Sequence, residues 1–229
     1  MKIAVLADIH ANLAAFEAVL KHMGYADRVW CLGDLVGYGA KPNDVISLAK
    51  RLNVESVMGN HDQAAITGLP LDFNPYAAKA IIQTHRMLTA QSLSFLKNLP
   101  LSLRFTIEGT VFLLVHGSPT DPLNEYVFPE NARYVFKDLL RKAEADVLLL
   151  GHTHVPMCLQ EKDGFIINPG AVGQPRDRDP RASYVVLDIQ DGGLTVNSRR
   201  VEYDIAKAAE EIVQAGFPPY LAQRLYYGS

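Results

Sequence analysis

Five short polar clusters, each placed just after an apolar run of strand length, hold the residues able to do chemistry in this chain. They are Asp8-Ile9-His10, Gly33-Asp34, Gly59-Asn60-His61-Asp62, His116-Gly117 and Gly151-His152-Thr153-His154. Asp8, His10, Asp34, Asn60, His116, His152 and His154 offer two carboxylates, one amide oxygen and four imidazoles as metal ligands. Divalent ions of hard to borderline character accept this mixture of oxygen and nitrogen donors. Asp8 and His10 stand two apart, so on an extended strand end they point to one side and can share an ion. His152 and His154 repeat that spacing. Asp34 carries two oxygens and can bridge a pair of ions about 3.5–4 Å apart. Seven ligands with one bridging carboxylate exceed what one ion takes, so two divalent ions are expected. Mn²⁺, Fe, Zn²⁺, Co²⁺ and Ni²⁺ all suit the donor set.

His61 follows the ligand Asn60 directly, and neighbouring side chains in a tight turn need not face the same ion. It is expected off the metals and toward a substrate. Two dications make water nucleophilic near neutral pH and stabilise an in-line phosphoryl transfer. A cationic His61 would then donate a proton to the leaving group as general acid. Asp62 either orients His61 or holds the turn. Arg176, in Arg176-Asp177-Arg178-Asp179-Pro180-Arg181, is the residue expected to contact a phosphate, since guanidinium suits bidentate phosphate recognition. The intervening aspartates could equally pair with the arginines in an ordered surface turn. Tyr38 either stacks on a base or leaving group at the rim or packs in its loop. His22 and His85 lie in helix-like segments and are read as solvated or helix-packed.

The elements that must position these groups are legible as apolar runs at 3–7, 29–32, 54–58, 111–115, 147–150, 165–167, 184–187 and 194–201. Several are near-continuous, as strands covered on both faces are. Helices are expected at 13–23, capped by Asn12 and stopped by Gly24, from Pro42 to about 52, and at about 75–87 and 91–96. Others are expected at about 130–143, at 205–215 capped by Asp204, and after Pro218-Pro219. The first half alternates strand and helix, the pattern of a layered α/β sheet. From Asp146 onward strands crowd together, which points to a second, partly antiparallel sheet. Every ligand falls at a strand's carboxyl end, where open α/β sheets bind their ligands. No linker divides the chain, so one domain over residues 1–229 is expected, with a helical insertion at about 69–99.

Composition bounds the function. With 48% hydrophobic and 21% charged residues, the 229-residue chain can bury a sizeable core. A net charge of −3 leaves no broad footprint for nucleic acid or an anionic membrane. Cys31 and Cys158 make no disulfide framework, and Cys31 reads as a buried, inert thiol. The apolar residues between Lys2 and Asp8 are too few for a signal-peptide core, and no run approaches the ~20 residues of a membrane span. A soluble, reducing, cytoplasmic setting is expected.

These five blocks, in this order, resemble the calcineurin-like metallophosphoesterase superfamily over about residues 1–187. The resemblance implies a four-layer α/β/β/α sandwich of two mixed sheets flanked by helices. It also implies one ion within Asp8, His10, Asp34 and His154, and another within Asp34, Asn60, His116 and His152. The stretch Asn168-Pro169-Gly170-Ala171-Val172-Gly173-Gln174-Pro175-Arg176 is similar to the compact bacterial and archaeal phosphodiesterase group related to diadenosine tetraphosphatases. Ala171 stands where serine is more usual, which leaves the ligands untouched. The expected activity is hydrolysis of a small soluble phosphodiester, phosphomonoester or dinucleoside polyphosphate. The alternative is an inactive scaffold of the same fold, which should lack a ligand or the off-metal histidine. This chain keeps all of them.

Overall fold

The computed structural model describes residues 1–190 and 192–229. Its elements run β1 (Lys2–Leu6), α1 (Leu13–Met23), β2 (Arg28–Cys31), α2 (Pro42–Arg51), β3 (Glu55–Ser56), α3 (Asn60–Thr67), α4 (Pro75–Met87) and α5 (Ala90–Lys97). They continue as β4 (Ser102–Ile107), β5 (Thr110–Val115), α6 (Pro129–Ala132), α7 (Phe136–Ala143), β6 (Val147–Leu149), β7 (Met157–Glu161) and β8 (Gly164–Asn168). The chain closes with β9 (Ala182–Gln190), β10 (Gly193–Val201), α8 (Ile205–Gln214) and α9 (Pro219–Leu225).

Two five-stranded mixed sheets result, in the orders β10-β9-β1-β2-β3 and β4-β5-β6-β8-β7. In the first, β1, β2 and β3 run parallel and β9 and β10 antiparallel. In the second, β5, β6 and β8 run parallel while β4 and β7 pair antiparallel at the edges. The strand period of two sorts each strand between two interfaces. Ile3, Val5 and Trp30 of the first sheet meet Phe112, Leu114, Val147 and Leu149 of the second in a shared core. On the outer face of the first sheet, Leu6 and Cys31 pack on Phe16 and Val19 of α1 and Val45 and Ala49 of α2. On the outer face of the second, Leu113, Val115 and Leu148 pack on Phe136, Leu139 and Leu140 of α7. The expected four layers are therefore present. Burial also raises the Cys31 thiol pKa, as an inert core thiol requires.

Three local expectations change. The run at 54–58 yields only β3, because Met58 N–H leaves the ladder for Pro100 O at 2.7 Å. Asn60 and His61 sit not in a tight turn but in the first turn of α3, with Gly59 as its N-cap. The single helix at 130–143 is two, α6 and α7. The edge strands β4 and β7 carry exposed, polar residues, which hid them from an apolar pattern. The caps at Asn12 and Asp204 form as expected, accepting from Ala15 N–H at 3.1 Å and Lys207 N–H at 2.9 Å. No helix among the described residues is long and apolar enough to cross a membrane.

Candidate metal centre

The carboxyl ends of β1, β2, β5 and β6, with the start of α3, converge on one buried cluster. One donor atom from each of Asp8, His10, Asp34 and His154 lies within 4.8 Å of the others, as do those of Asp34, His116 and His152. Asp34 belongs to both groups. Asn60 joins the second, its Oδ1 lying 3.0 Å from His116 Nε2. All seven residues singled out as ligands are thus brought together.

Each carboxylate is split in function. Asp34 Oδ1 accepts the His61 backbone N–H at 2.8 Å, and Asp8 Oδ2 accepts that of His152 at 3.2 Å. Their other oxygens, Asp34 Oδ2 and Asp8 Oδ1, are buried with no hydrogen-bond partner. Such an orphaned acceptor is costly unless something cationic occupies its side. Asp34 Oδ2 lies 3.6 Å from His10 Nε2 and 3.4 Å from His116 Nε2, between the two groups. Asp8 Oδ1 lies 3.4 Å from His154 Nε2.

The imidazoles are aimed by their outer nitrogens. Nδ1 of His10, His116 and His154 faces the carbonyls of Val36 (3.1 Å), Leu32 (2.7 Å) and Gln174 (2.6 Å). Donation there leaves Nε2 as a lone-pair donor pointed at the centre, the usual arrangement around metal-binding histidines. His152 is reversed: its Nε2 faces Asn124 O at 3.2 Å and its Nδ1 faces the centre. His10 Nε2 and His154 Nε2 stand 3.1 Å apart, as do His116 Nε2 and His152 Nδ1. Two donors on one tetrahedral ion would be about 3.4 Å apart, so this crowding matches ligands closing on shared ions. The residues present therefore fit divalent metals.

The backbone bends hard to achieve this. Asp8, His10, Asp34, His152 and His154 have φ of 54°, 49°, 55°, 66° and 60°, in the left-handed region. Non-glycine residues enter it at a cost of order 1–3 kcal/mol each. Loop-to-loop bonds hold them there, including Asp8 N–H to Gly33 O at 3.1 Å and His10 N–H to Asp34 O at 2.9 Å.

Electrostatics without ions is conflicted. Burial pushes the Asp8 carboxyl up to about 8. For Asp34, burial opposes the charged form, but His116 and His61 outweigh it and hold the carboxyl well below the usual range. Burial would depress His116, yet Asp34 raises it to about 9. Burial lowers His10 and His154 well below the ordinary imidazole value, and His152 to about 3.

His61 is buried between Tyr38, His10 and Phe73, with ring centroids 4.4, 4.8 and 4.8 Å away. It also lines the cleft above the cluster. Burial lowers its pKa to about 4, so the cationic form expected from the sequence requires an anion beside it. Asp62 does not contact His61 by hydrogen bond. It accepts Val36 N–H at 3.1 Å and Gly59 N–H at 3.0 Å, which settles its role as a clamp on the turn. Arg176 lines the cleft, bonding Tyr38 Oη at 3.1 Å, whereas Arg181 pairs with Asp179 and is not among the residues that line it. Tyr38 combines both readings, packed in its loop and lining the cleft. His22 and His85 bond Tyr184 Oη and Ala65 O, outside the cluster.

The cleft, about 930 Å³, has walls that the motif blocks did not reveal. Tyr126, stacked on His152 at 3.8 Å, comes from the loop after β5. Tyr220 and Arg224 come from α9. Only their being an aromatic and a cation near the end of an amphipathic segment could have hinted at this.

A model of the calcineurin-like phosphoesterase superfamily domain matches residues 1–192, and the chain belongs to that superfamily. An uncharacterized protein of Methanocaldococcus jannaschii is 40% identical over 99% of this chain and 98% of its own length. The phosphodiesterase YfcE of Escherichia coli is 30% identical over 82% of this chain and 88% of its own. The crystal structure of a metallophosphoesterase from Sphaerobacter thermophilus is 40% identical and covers 100% of this chain and 99% of that one, with a TM-score of 0.86. Family and relatives together indicate phosphoesterase hydrolase activity.

Proposed function

We propose that this chain is a two-metal phosphoric ester hydrolase acting on small soluble phosphoesters. Asp8, His10, Asp34 and His154 hold one divalent ion, and Asp34, Asn60, His116 and His152 hold the other. The observation that carries this reading is Asp34 Oδ2, buried, unpartnered and lying between the imidazoles of the two groups. Bound dications supply Lewis acidity toward phosphoryl oxygens and a nucleophile from water near neutral pH.

The chain's own residues do the rest. The N–H groups of His61 and His152 fix the carboxylates so that one oxygen of each faces inward. The buried cluster excludes bulk water and strengthens every charge interaction within it. A phosphate anion in the cleft raises the His61 pKa from its depressed value, and the protonated ring then gives its proton to the leaving oxygen. Arg176 binds a non-reacting phosphate oxygen. The homologous YfcE phosphodiesterase supports a diester among the substrates.

The test begins with chelated protein reconstituted with Mn²⁺, where metal analysis should approach two equivalents. A panel of bis(p-nitrophenyl) phosphate, p-nitrophenyl phosphate, nucleotides and a dinucleoside tetraphosphate then defines the ester class. His61→Gln should retain both ions and lose about 10²–10⁴-fold in turnover, with less loss for acidic leaving phenols. Saturation at one equivalent, or loss of an ion in His61→Gln, would sink the assignment of roles.

A further inference from the structure

One side chain lining the cleft touches three groups that take part in the chemistry, yet has no part in it so far. Tyr38 stands in the Gly37-Tyr38-Gly39 loop after β2. Its ring centroid lies 4.6 Å from that of His10 and 4.4 Å from that of His61. Its Oη accepts from Arg176 at 3.1 Å. Although it lines the cleft, it is only 5% exposed, so nearly all its surface is spent on protein.

His61 depends on such a neighbour. His10, His116 and His154 are aimed by carbonyls that face their Nδ1 atoms. The Nδ1 of His61 is buried with no hydrogen-bond partner, so packing alone fixes that side of the ring. Tyr38, inclined at 49°, and Phe73, at 80°, supply the packing. The backbone beside Tyr38 is pressed against the same groups. A Cβ on Gly37 would stand 2.5 Å from His61 Nδ1, and one on Gly39 would stand 2.4 Å from His10 O. Tyr38 itself has a φ of 52°, a left-handed conformation that costs a non-glycine residue about 1–3 kcal/mol. Glycine would fit this backbone without strain, but it would leave His61 without a wall and Arg176 without an acceptor.

Arg176 is held by two neutral oxygens, Tyr38 Oη and, at 3.3 Å, Gln174 Oε1. Arg181 and Arg200 instead pair with the carboxylates of Asp179 and Asp177. A carboxylate would compete with phosphate for the guanidinium, whereas a neutral oxygen fixes its direction and leaves its charge available.

We propose that Tyr38 is a positioning residue with two separable parts: its ring sets the place of His61, and its hydroxyl sets that of Arg176. Both parts rest on the reading of His61 as proton donor and Arg176 as phosphate ligand, and they can be tested apart from it. In the Mn²⁺-loaded full chain, Tyr38→Phe keeps the ring and should raise KM for bis(p-nitrophenyl) phosphate about three- to tenfold, with little change in kcat. In an Arg176→Ala background the same change should leave KM alone, because residues that act through one another are not additive. Tyr38→Leu removes the ring and should also cut kcat about 10- to 100-fold for diphenyl phosphate, whose leaving phenol is weakly acidic, and less for the nitrophenyl ester. That excess over Tyr38→Phe should vanish in a His61→Gln background. A merely structural tyrosine would lower the melting temperature and cost the same factor in every background. Equal costs across backgrounds, in folded protein with unchanged metal content, would therefore overturn the proposal. If no ester is hydrolysed, the hydrolase reading fails instead, and calorimetric titration with inorganic phosphate still reads the hydroxyl. Tyr38→Phe should then weaken phosphate by the same three- to tenfold only while Arg176 is present, and an unchanged affinity would reject its positioning role.

Discussion

At Asp34 and Asp8, one oxygen of each carboxylate is spent on a backbone N–H so that the other can face the imidazoles. That division depends on how closely α3 approaches Asp34. A Cβ on Gly59 would stand 2.0 Å from Asp34 Oδ1, a distance no side chain tolerates. Gly59→Ala must therefore displace either the Asp34 carboxylate or the start of α3. We expect it to lose at least one metal equivalent and about 100-fold or more in turnover, a misplacement effect on pre-organised groups. Gly109→Ala provides the comparison, because a Cβ there meets nothing within 4 Å and only the φ of +83° is strained. It should cost about 1 kcal/mol of stability and leave metal content intact. Metal analysis of both variants decides the matter. Equal retention of two ions would mean that α3 yields without consequence.

At the scale of elements, Asp62 joins two loops through one side chain. It accepts from Val36 after β2 and from Gly59 ahead of α3. Asp62→Ala would strand two buried N–H groups, so urea denaturation should show a loss of about 2–5 kcal/mol. Asp62→Asn keeps one acceptor oxygen and should cost less. A loss of under 1 kcal/mol in Asp62→Ala would reject the clamp. This element also shows what the sequence could and could not disclose. The ligands were legible because apolar runs such as 3–7 and 111–115 end abruptly in Asp or His followed by a turn. Helix α3 was not, because Gly-Asn-His-Asp reads as a turn until Ala64 and Ala65 are seen buried beneath it. Edge strand β4 was obscured by its exposed Ser102, Arg104-side polarity and alternating burial. The left-handed backbone at Asp8, His10, Asp34, His152 and His154 left no trace at all, since long-range contacts impose it. Tyr220 and Arg224 were missed for the same reason, being brought to the cleft only by the packing of α8 and α9.

At the scale of the molecule, Asp8, His10 and Asp34 follow strands of the first sheet and Asn60 opens α3 after β3, while His116, His152 and His154 follow strands of the second. Ions held between them would cross-link the two sheets, and Mn²⁺ at 100 times its Kd should add about 2.7 kcal/mol of stability. Without metal the same groups set an unusual pH profile. His10, His61, His152 and His154 have pKa values lowered by burial, to about 4 for His61 and about 3 for His152. Below their ordinary value of 6.5 the unfolded chain takes up protons that these folded imidazoles refuse, so stability falls as pH drops from 6.5 toward 4. Asp8 and Asp62, raised by burial to about 8 and about 7, act in the opposite sense. Four imidazoles against two carboxyls leave stability rising with pH up to 6.5. Above 6.5 the imidazoles no longer contribute, while Asp8, Asp62 and His116, the last raised to about 9 by Asp34 against burial, bind more protons folded than unfolded. Stability must then fall as pH climbs from 6.5 through 9. Chelated protein should therefore be most stable near pH 6.5. Mn²⁺-loaded protein should shift its optimum upward, because metal binding displaces the protons of Asp8 and His116, both among the candidate ligands. Denaturant titrations between pH 4.5 and 9.5, with and without chelator, compare the two curves. A chelated protein that keeps gaining stability to pH 9 would show that the carboxyls and His116 are not protonated in the metal-free cluster.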